Sequence, residues 1–213
     1  MSLGHSEKLA HLFLHGNFHS SLSFLQQEIS SGATQQSIYE LVTNSMYIIG
    51  DLWKKNKISV AQEHIASAIC KQTLSILNYM FWSRPVQQQR PKVILFYPEH
   101  ESHDIGLQII HSTFITHGFE SRLLGANLPL SDALHYIYAW KPEIVGISIS
   151  ANSYTNMLSE YISAIRTFPF IKDILIGGCC ITQQTPVFSD NVSLIKHIND
   201  LYHWIEKQVQ AYA

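Results

Sequence analysis

Lys92-Val93-Ile94-Leu95-Phe96-Tyr97-Pro98-Glu99-His100-Glu101-Ser102-His103-Asp104-Ile105-Gly106 decides how this chain is read. Val93–Tyr97 is a short continuous apolar run, the pattern of a parallel strand buried on both faces. Pro98 ends it and a polar loop follows. From Ile105 to His117 the apolar spacing becomes helical, and Gly118 stops it. Strand, polar loop and helix in that order open a parallel α/β unit. Its loop lies beyond a strand C-terminus, where open sheets of this kind bind ligands.

Downstream the alternation continues. Strands are expected near Glu120–Leu124, Ile144–Ile149, Ile174–Ile176 and Val192–Ile195. Helices are expected near Leu130–Ala139, Tyr154–Thr167 and Ile198–Gln210. The predicted unit is a Rossmann-like, flavodoxin-like domain over residues 92–213, with a five-stranded parallel sheet covered on both faces. Upstream the rhythm is purely helical. Leu9, Leu12 and Phe13; Leu22, Leu25 and Ile29; Ile38 through Leu52; and Ile65 through Met80 form four apolar stripes at spacings of three and four. They predict a four-helix bundle over residues 1–84. The segment 85–91, with two prolines and no periodicity, reads as a linker. The fold class is thus α + α/β.

Composition narrows the function classes. In 213 residues, 14 Lys+Arg face 16 Asp+Glu, which leaves no cationic excess for phosphate neutralisation. No apolar run reaches the ~18 residues of a membrane span, and no signal-peptide pattern opens the sequence. Three cysteines make no disulfide framework, and Cys179 and Cys180 read as small apolar fillers. No phosphate-binding Gly-rich loop and no nucleophile constellation stand out. The expectation is a cytoplasmic, non-enzymatic binding protein without membrane contact. Its 12 histidines are the compositional oddity.

The loop after the first strand carries chemistry. A loop histidine, His103, can offer one ring nitrogen to a metal while a carboxylate two residues away, Glu101, accepts from the other. Gly106 lets a large planar group approach the backbone. Spacing adds weight. After Gly106 come 41 residues and then Ser148-Ile149-Ser150; after Ser150 come 26 residues and then Gly177-Gly178. All three motifs fall at strand ends on one edge of the sheet, and the later two supply small side chains that would leave a slot.

On these residues the chain resembles the cobalamin-binding domain family, over residues 92 to about 210. That family carries Asp-x-His-x-x-Gly, Ser-x-Leu and Gly-Gly at closely similar spacings. Glu101 stands here for the Asp and Ser150 for the Leu. The resemblance implies that His103 is the lower cobalt ligand and that Glu101 holds its second nitrogen. It implies that Glu101, Ser102, His103, Asp104, Ile105 and Gly106 bind the cofactor. The dimethylbenzimidazole tail would enter a slot lined by Ser148, Ser150, Gly177 and Gly178.

The helical half is similar to the bundle that covers the upper face of the cofactor in this family. Ser59 and Gln62 fit a capping box for the fourth helix. Trp53, nine intervening residues, then Glu63-His64 match the Trp-x9-Glu-His signature of adenosylcobalamin-dependent photoreceptors, the CarH-like regulators. The resemblance implies adenosylcobalamin as cofactor, with Trp53, Glu63 and His64 facing the adenosyl group. It implies a light sensor in transcription regulation, in which loss of that group changes oligomeric state and releases DNA. Those regulators carry a helix-turn-helix domain before the bundle, whereas here the bundle starts almost at Met1. The expected partners are therefore cobalamin and a second copy or a regulatory protein, with no direct DNA-binding domain. They also place a histidine directly after the Trp, where this chain has Lys54, an ammonium that ligates cobalt poorly near neutral pH; His64 is the nearest other imidazole. Two alternatives stay open: a corrinoid carrier of a methyltransferase system, and a cobalamin-responsive antirepressor without photochemistry.

Overall fold

The computed structural model describes residues 3–82, 90–101, 104–149, 155–178 and 191–211. The chain divides into two compact units, Met1–Ser83 and Arg84–Ala213. Ser102, His103, Ser150, Cys179 and Cys180 lie outside the described residues, as does most of the expected linker.

The first unit is four helices: α1 (Leu3–Leu14), α2 (Phe18–Ser30), α3 (Gln35–Lys54) and α4 (Val60–Trp82). Each pair of helices is in contact, so the apolar stripes converge on one core. Leu9, Phe13, Leu25, Ile38 and Leu74 are sealed from solvent in it. The connections are chemically specified. Gly16 (φ +69°) and Gly32 (φ +97°) take the left-handed turns after α1 and α2. Thr34 caps α3, its Oγ1 accepting from the Ser37 N–H at 3.2 Å. The expected capping box forms at α4: Ser59 Oγ accepts from the Gln62 N–H at 3.2 Å, and Gln62 Oε1 from the Ser59 N–H at 2.9 Å. One polar pair fixes the core's register, the buried Tyr39 hydroxyl donating to Asn78 Oδ1 at 2.7 Å.

The second unit is a parallel sheet with helices interleaved. Its elements are β1 (Arg90–Pro98), α5 (Ile105–Thr116), β2 (Phe119–Leu128), α6 (Leu130–Trp140), β3 (Ile144–Ser148), α7 (Thr155–Ile165), β4 (Asp173–Gly177), β5 (Val192–Ile195) and α8 (Ile198–Ala211). The strand order is β2-β1-β3-β4-β5, with every pairing parallel. This is the flavodoxin-like order, whose switch point falls between β1 and β3. The apolar run of β1 alternates between two cores. Ile94 and Phe96 pack with Ile137 of α6 and Leu158 of α7. Val93, Leu95 and Tyr97 pack with Leu107 and Phe114 of α5 and Leu201 of α8.

One element is longer than its apolar pattern. β2 continues past Leu124 to Leu128, with register shifts against β1 and left-handed residues at Gly125 (φ +91°) and Asn127 (φ +54°). Backbone pairing with β1 carries this stretch, with Leu128 packed against the core at its end. Because Phe96 is fully buried in the β1 core, Phe96→Ala is expected to cost about 3–5 kcal/mol in urea denaturation.

Candidate functional site

The loop that leaves β1 is pinned from two sides. His100 takes a left-handed conformation (φ +68°), and its N–H donates to Asn127 Oδ1 at 2.8 Å. The Asn127 N–H in turn donates to the Glu101 carbonyl at 2.9 Å. From α7, the Tyr161 oxygen accepts from the Glu99 N–H at 3.3 Å while its hydroxyl donates to the Leu128 carbonyl at 2.7 Å. Burial pushes the Tyr161 phenol above its ordinary value, which keeps that donor protonated. The chain is therefore delivered to Glu101 in one conformation, and the Glu101 carboxylate is only 1% exposed.

Beyond His103, Asp104 precedes α5, and Ile105 and Gly106 open it. Gly106 is exposed and has ordinary helical backbone. A Cβ there would lie 3.4 Å from Tyr97 Oη, with no other described atom within 4 Å. Nothing in the fold demands glycine at this point. The direction a side chain would take at Gly106 points to the Tyr97 hydroxyl.

At the neighbouring strand ends, Ser148 pairs with Gly177 across β3 and β4. Gly178 differs from Gly106: it has φ +125°, and a Cβ would fall 1.8 Å from the Ile149 carbonyl oxygen. That glycine is required by backbone-to-backbone packing whether or not a ligand binds. Gly177 meets only Ile195 at ordinary distances. The structure thus brings Glu101, Gly106, Ser148, Gly177 and Gly178 to the C-terminal edge of one sheet.

Sequence reasoning overlooked the residues that connect them. Tyr97, 2% exposed, accepts from the Leu107 N–H at 2.8 Å. Burial, with the Asp104 and Glu101 carboxylates adding to it, pushes its phenol far above the ordinary range. In sequence, Tyr97 reads as the last apolar residue of a strand, and Asn127 lies between the expected second strand and the helix after it. Only the pairing of β1 with β2 and the packing of α7 reveal what they hold.

The second cluster belongs to the helical unit. Trp53, on the last turn of α3, is 46% exposed, so it is not a core aromatic. Four residues, Lys55–Lys57 and Ile58, and the Ser59 cap then lead into α4. Glu63 Oε1 accepts from the Ser67 hydroxyl at 2.6 Å, and Oε2 lies 3.8 Å from His64 Nε2. Val60 and Ile65 beside them are also exposed, at 54% and 45%. The end of the bundle therefore presents an indole, a carboxylate and an imidazole among apolar side chains.

A nucleotide-type α/β domain with a helical companion and this strand-end motif set defines a corrinoid-binding class of protein. The comparison with family models agrees: one described as a B12 binding domain matches residues 91–200, and a second of the same description matches residues 6–78. The chain belongs to the B12 binding domain family. Two relatives are HTH-type transcriptional repressors of Myxococcus xanthus. CarH is 27% identical over 131 residues, 61% of this chain and 42% of the repressor. CarA is 24% identical over 126 residues, 57% of this chain and 41% of the repressor. The chain thus matches about two fifths of the length of these relatives. Among solved structures, the Methanosarcina barkeri monomethylamine corrinoid protein superposes with a TM-score of 0.76 at 14% identity, covering 93% of this chain and 96% of that one. The last likeness establishes the fold.

The residues present fit a cobalamin. A corrin would bring most of the cobalt's ligands itself, so the protein would need to add few. Among the described residues no group of three or more His, Cys, Asp or Glu could hold a metal ion by itself. Among the described residues no helix is long and apolar enough to cross a membrane.

The two glycines separate structure from binding. Gly178→Ala is expected to lower the melting temperature by several degrees, because the new Cβ collides with backbone. Gly106→Ala is expected to leave melting unchanged or slightly raised and to weaken cobalamin binding. Calorimetry and cofactor titration of both variants check the contrast.

Proposed function

We propose that this cobalamin-binding module is a light sensor that uses adenosylcobalamin. His103 would ligate the cobalt, and Glu101 would orient its ring by accepting from the other nitrogen. Ser102, Asp104, Ile105 and Gly106 line the lower face, and Ser148, Ser150, Gly177 and Gly178 line the tail slot. The observation that carries the reading is the exposed Trp53 with Glu63 and His64 at one end of the bundle. An indole left out of a core beside a pre-oriented carboxylate suits a nucleoside, which has a flat apolar base and hydrogen-bonding ribose hydroxyls. A methyl group would need neither polar residue.

When bound, adenosylcobalamin supplies a cobalt–carbon bond that light breaks. Trp53, Glu63 and His64 then lose the contacts they make only with the adenosyl group. The bias this puts on the bundle is bounded by the free energy of those contacts. The bundle passes the change to a second copy or to a regulatory protein partner, and the chain itself is not a catalyst. Lys54 directly follows Trp53, so no imidazole at that position competes for cobalt. The names of the Myxococcus repressors support a regulatory role.

Protein loaded with adenosylcobalamin in darkness is expected to change its visible spectrum irreversibly under green light, with a shift in elution volume on size-exclusion chromatography. A spectrum that follows free cofactor, with no change in size, would sink the sensor reading. Glu63→Gln and Trp53→Ala are each expected to weaken adenosylcobalamin about tenfold and methylcobalamin little. Equal losses for both cofactors would favour a corrinoid carrier of methyl groups. Glu101→Ala is expected to lower cobalamin affinity about 10- to 100-fold by loosening the His103 ring; unchanged binding in an equilibrium titration would remove Glu101 from that role.

A further inference from the structure

Hydroxyl side chains inside the helices of this protein share one habit. Ser21, Ser30, Thr73, Ser75, Thr113 and Ser163 each donate to the backbone carbonyl four residues earlier, at 2.8–2.9 Å. Ser67 departs from it. Its hydroxyl donates to a side chain four residues earlier, to Glu63 Oε1 at 2.6 Å. Both residues stand on α4, one turn apart, at the end of the bundle that carries Trp53 and His64.

The consequence falls on the carboxylate. A bond this short from a hydroxyl to an ionised oxygen is charge-assisted. It ties Oε1 to the helix and removes rotamer freedom from a long side chain. Oε2 is left with His64 Nε2 at 3.8 Å, beyond hydrogen-bond length. The Glu63 side chain is 30% exposed, so the tie orients it without sealing it off. An ionised carboxylate only accepts, so a ligand group that engages Oε2 must carry a donor.

We propose that Ser67 is a positioning residue that holds Glu63 with one oxygen set to accept from the sugar hydroxyls of the adenosyl group, and so makes the site selective for a ribosyl upper ligand over a plain alkyl one. This rests on the reading above, in which Glu63 faces that group. A methyl or alkyl ligand offers no donor and gains nothing from an oriented carboxylate. A ribose offers hydroxyls on adjacent carbons, and a carboxylate already held in place meets them without first being ordered.

The test compares, in darkness, the binding of adenosylcobalamin, methylcobalamin and an alkylcobalamin that carries adenine on a short carbon chain without sugar. The proteins are wild type, Ser67→Ala, Ser67→Thr, Glu63→Ala and the double alanine variant. Ser67→Ala is expected to lose about three- to tenfold for adenosylcobalamin, the scale of ordering one long side chain, with the other two ligands unchanged within about twofold. Its melting temperature without cofactor is expected to stay the same or rise slightly, since alanine is the better helix former; a merely structural serine would show its loss there. Ser67→Thr keeps the hydroxyl and is expected to keep the wild-type preference. The double variant is expected to bind adenosylcobalamin no worse than Glu63→Ala alone, since Ser67 acts through Glu63. Equal loss for the three ligands, no loss for adenosylcobalamin, a matching loss for the sugarless ligand, or additive losses in the double variant would each overturn the proposal while leaving the role of Glu63 in place. A Glu63→Ala loss that is equal for all three ligands would overturn the underlying reading as well. If Ser67→Ala does not fold, Ser67→Cys, a weaker donor of similar size, is expected to show the same selective loss; unchanged adenosylcobalamin binding there would also refute it.

Discussion

Everything in the candidate site depends on one topological constraint: β1 has β2 on one side and β3 on the other, so the chain reverses its direction of travel across the sheet after the second strand. Connections leaving β1 and β3 diverge to opposite faces. A crevice therefore opens at their C-terminal ends. Glu101 emerges from β1 at this point and Ser148 ends β3 beside it. No local propensity of either segment would bring them together.

The crevice is not left soft. Polar side chains from three directions tie its rim. Asn127 and Tyr161 hold the loop after β1 from β2 and α7, and Tyr97 binds the start of α5 from below. Each bond involves a backbone group that would otherwise sit near the sheet edge without a helix or strand partner. A ligating loop gains from such ties, because ordering it in advance removes entropy that binding would otherwise lose. The two strand-end glycines illustrate how function and folding overlap here. Gly178 is demanded by the approach of Ile149, whereas the space at Gly106 has no such internal cause.

The bundle follows a different logic. Its core is satisfied by Leu9, Phe13, Leu25, Ile38 and their neighbours, so Trp53, Val60 and Ile65 are left over at one end. Glu63 is held by Ser67 and lies near His64, both within α4, so the polar part of this surface is organised by the helix alone. Its cap is likewise local, set by Ser59 and Gln62.

Much of this was legible without coordinates. Helices and strands followed from periodicity, and the capping box followed from local chemistry, because each involves residues only a few positions apart. The motif residues Glu101, Gly106, Ser148, Gly177 and Gly178 could be assigned to strand ends for the same reason. What sequence alone could not decide was which atoms meet across the sheet. Tyr97 stood at the end of an apolar run, and nothing local set Asn127 or Tyr161 apart from their neighbours. Their roles depend on contacts between residues from 10 to 62 positions apart, the separations of Tyr97 from Leu107 and of Glu99 from Tyr161. Local pattern determines which segments form and which face is apolar; only the strand order, a collective result of packing both faces of the sheet, decides what those distant hydroxyls and amides touch.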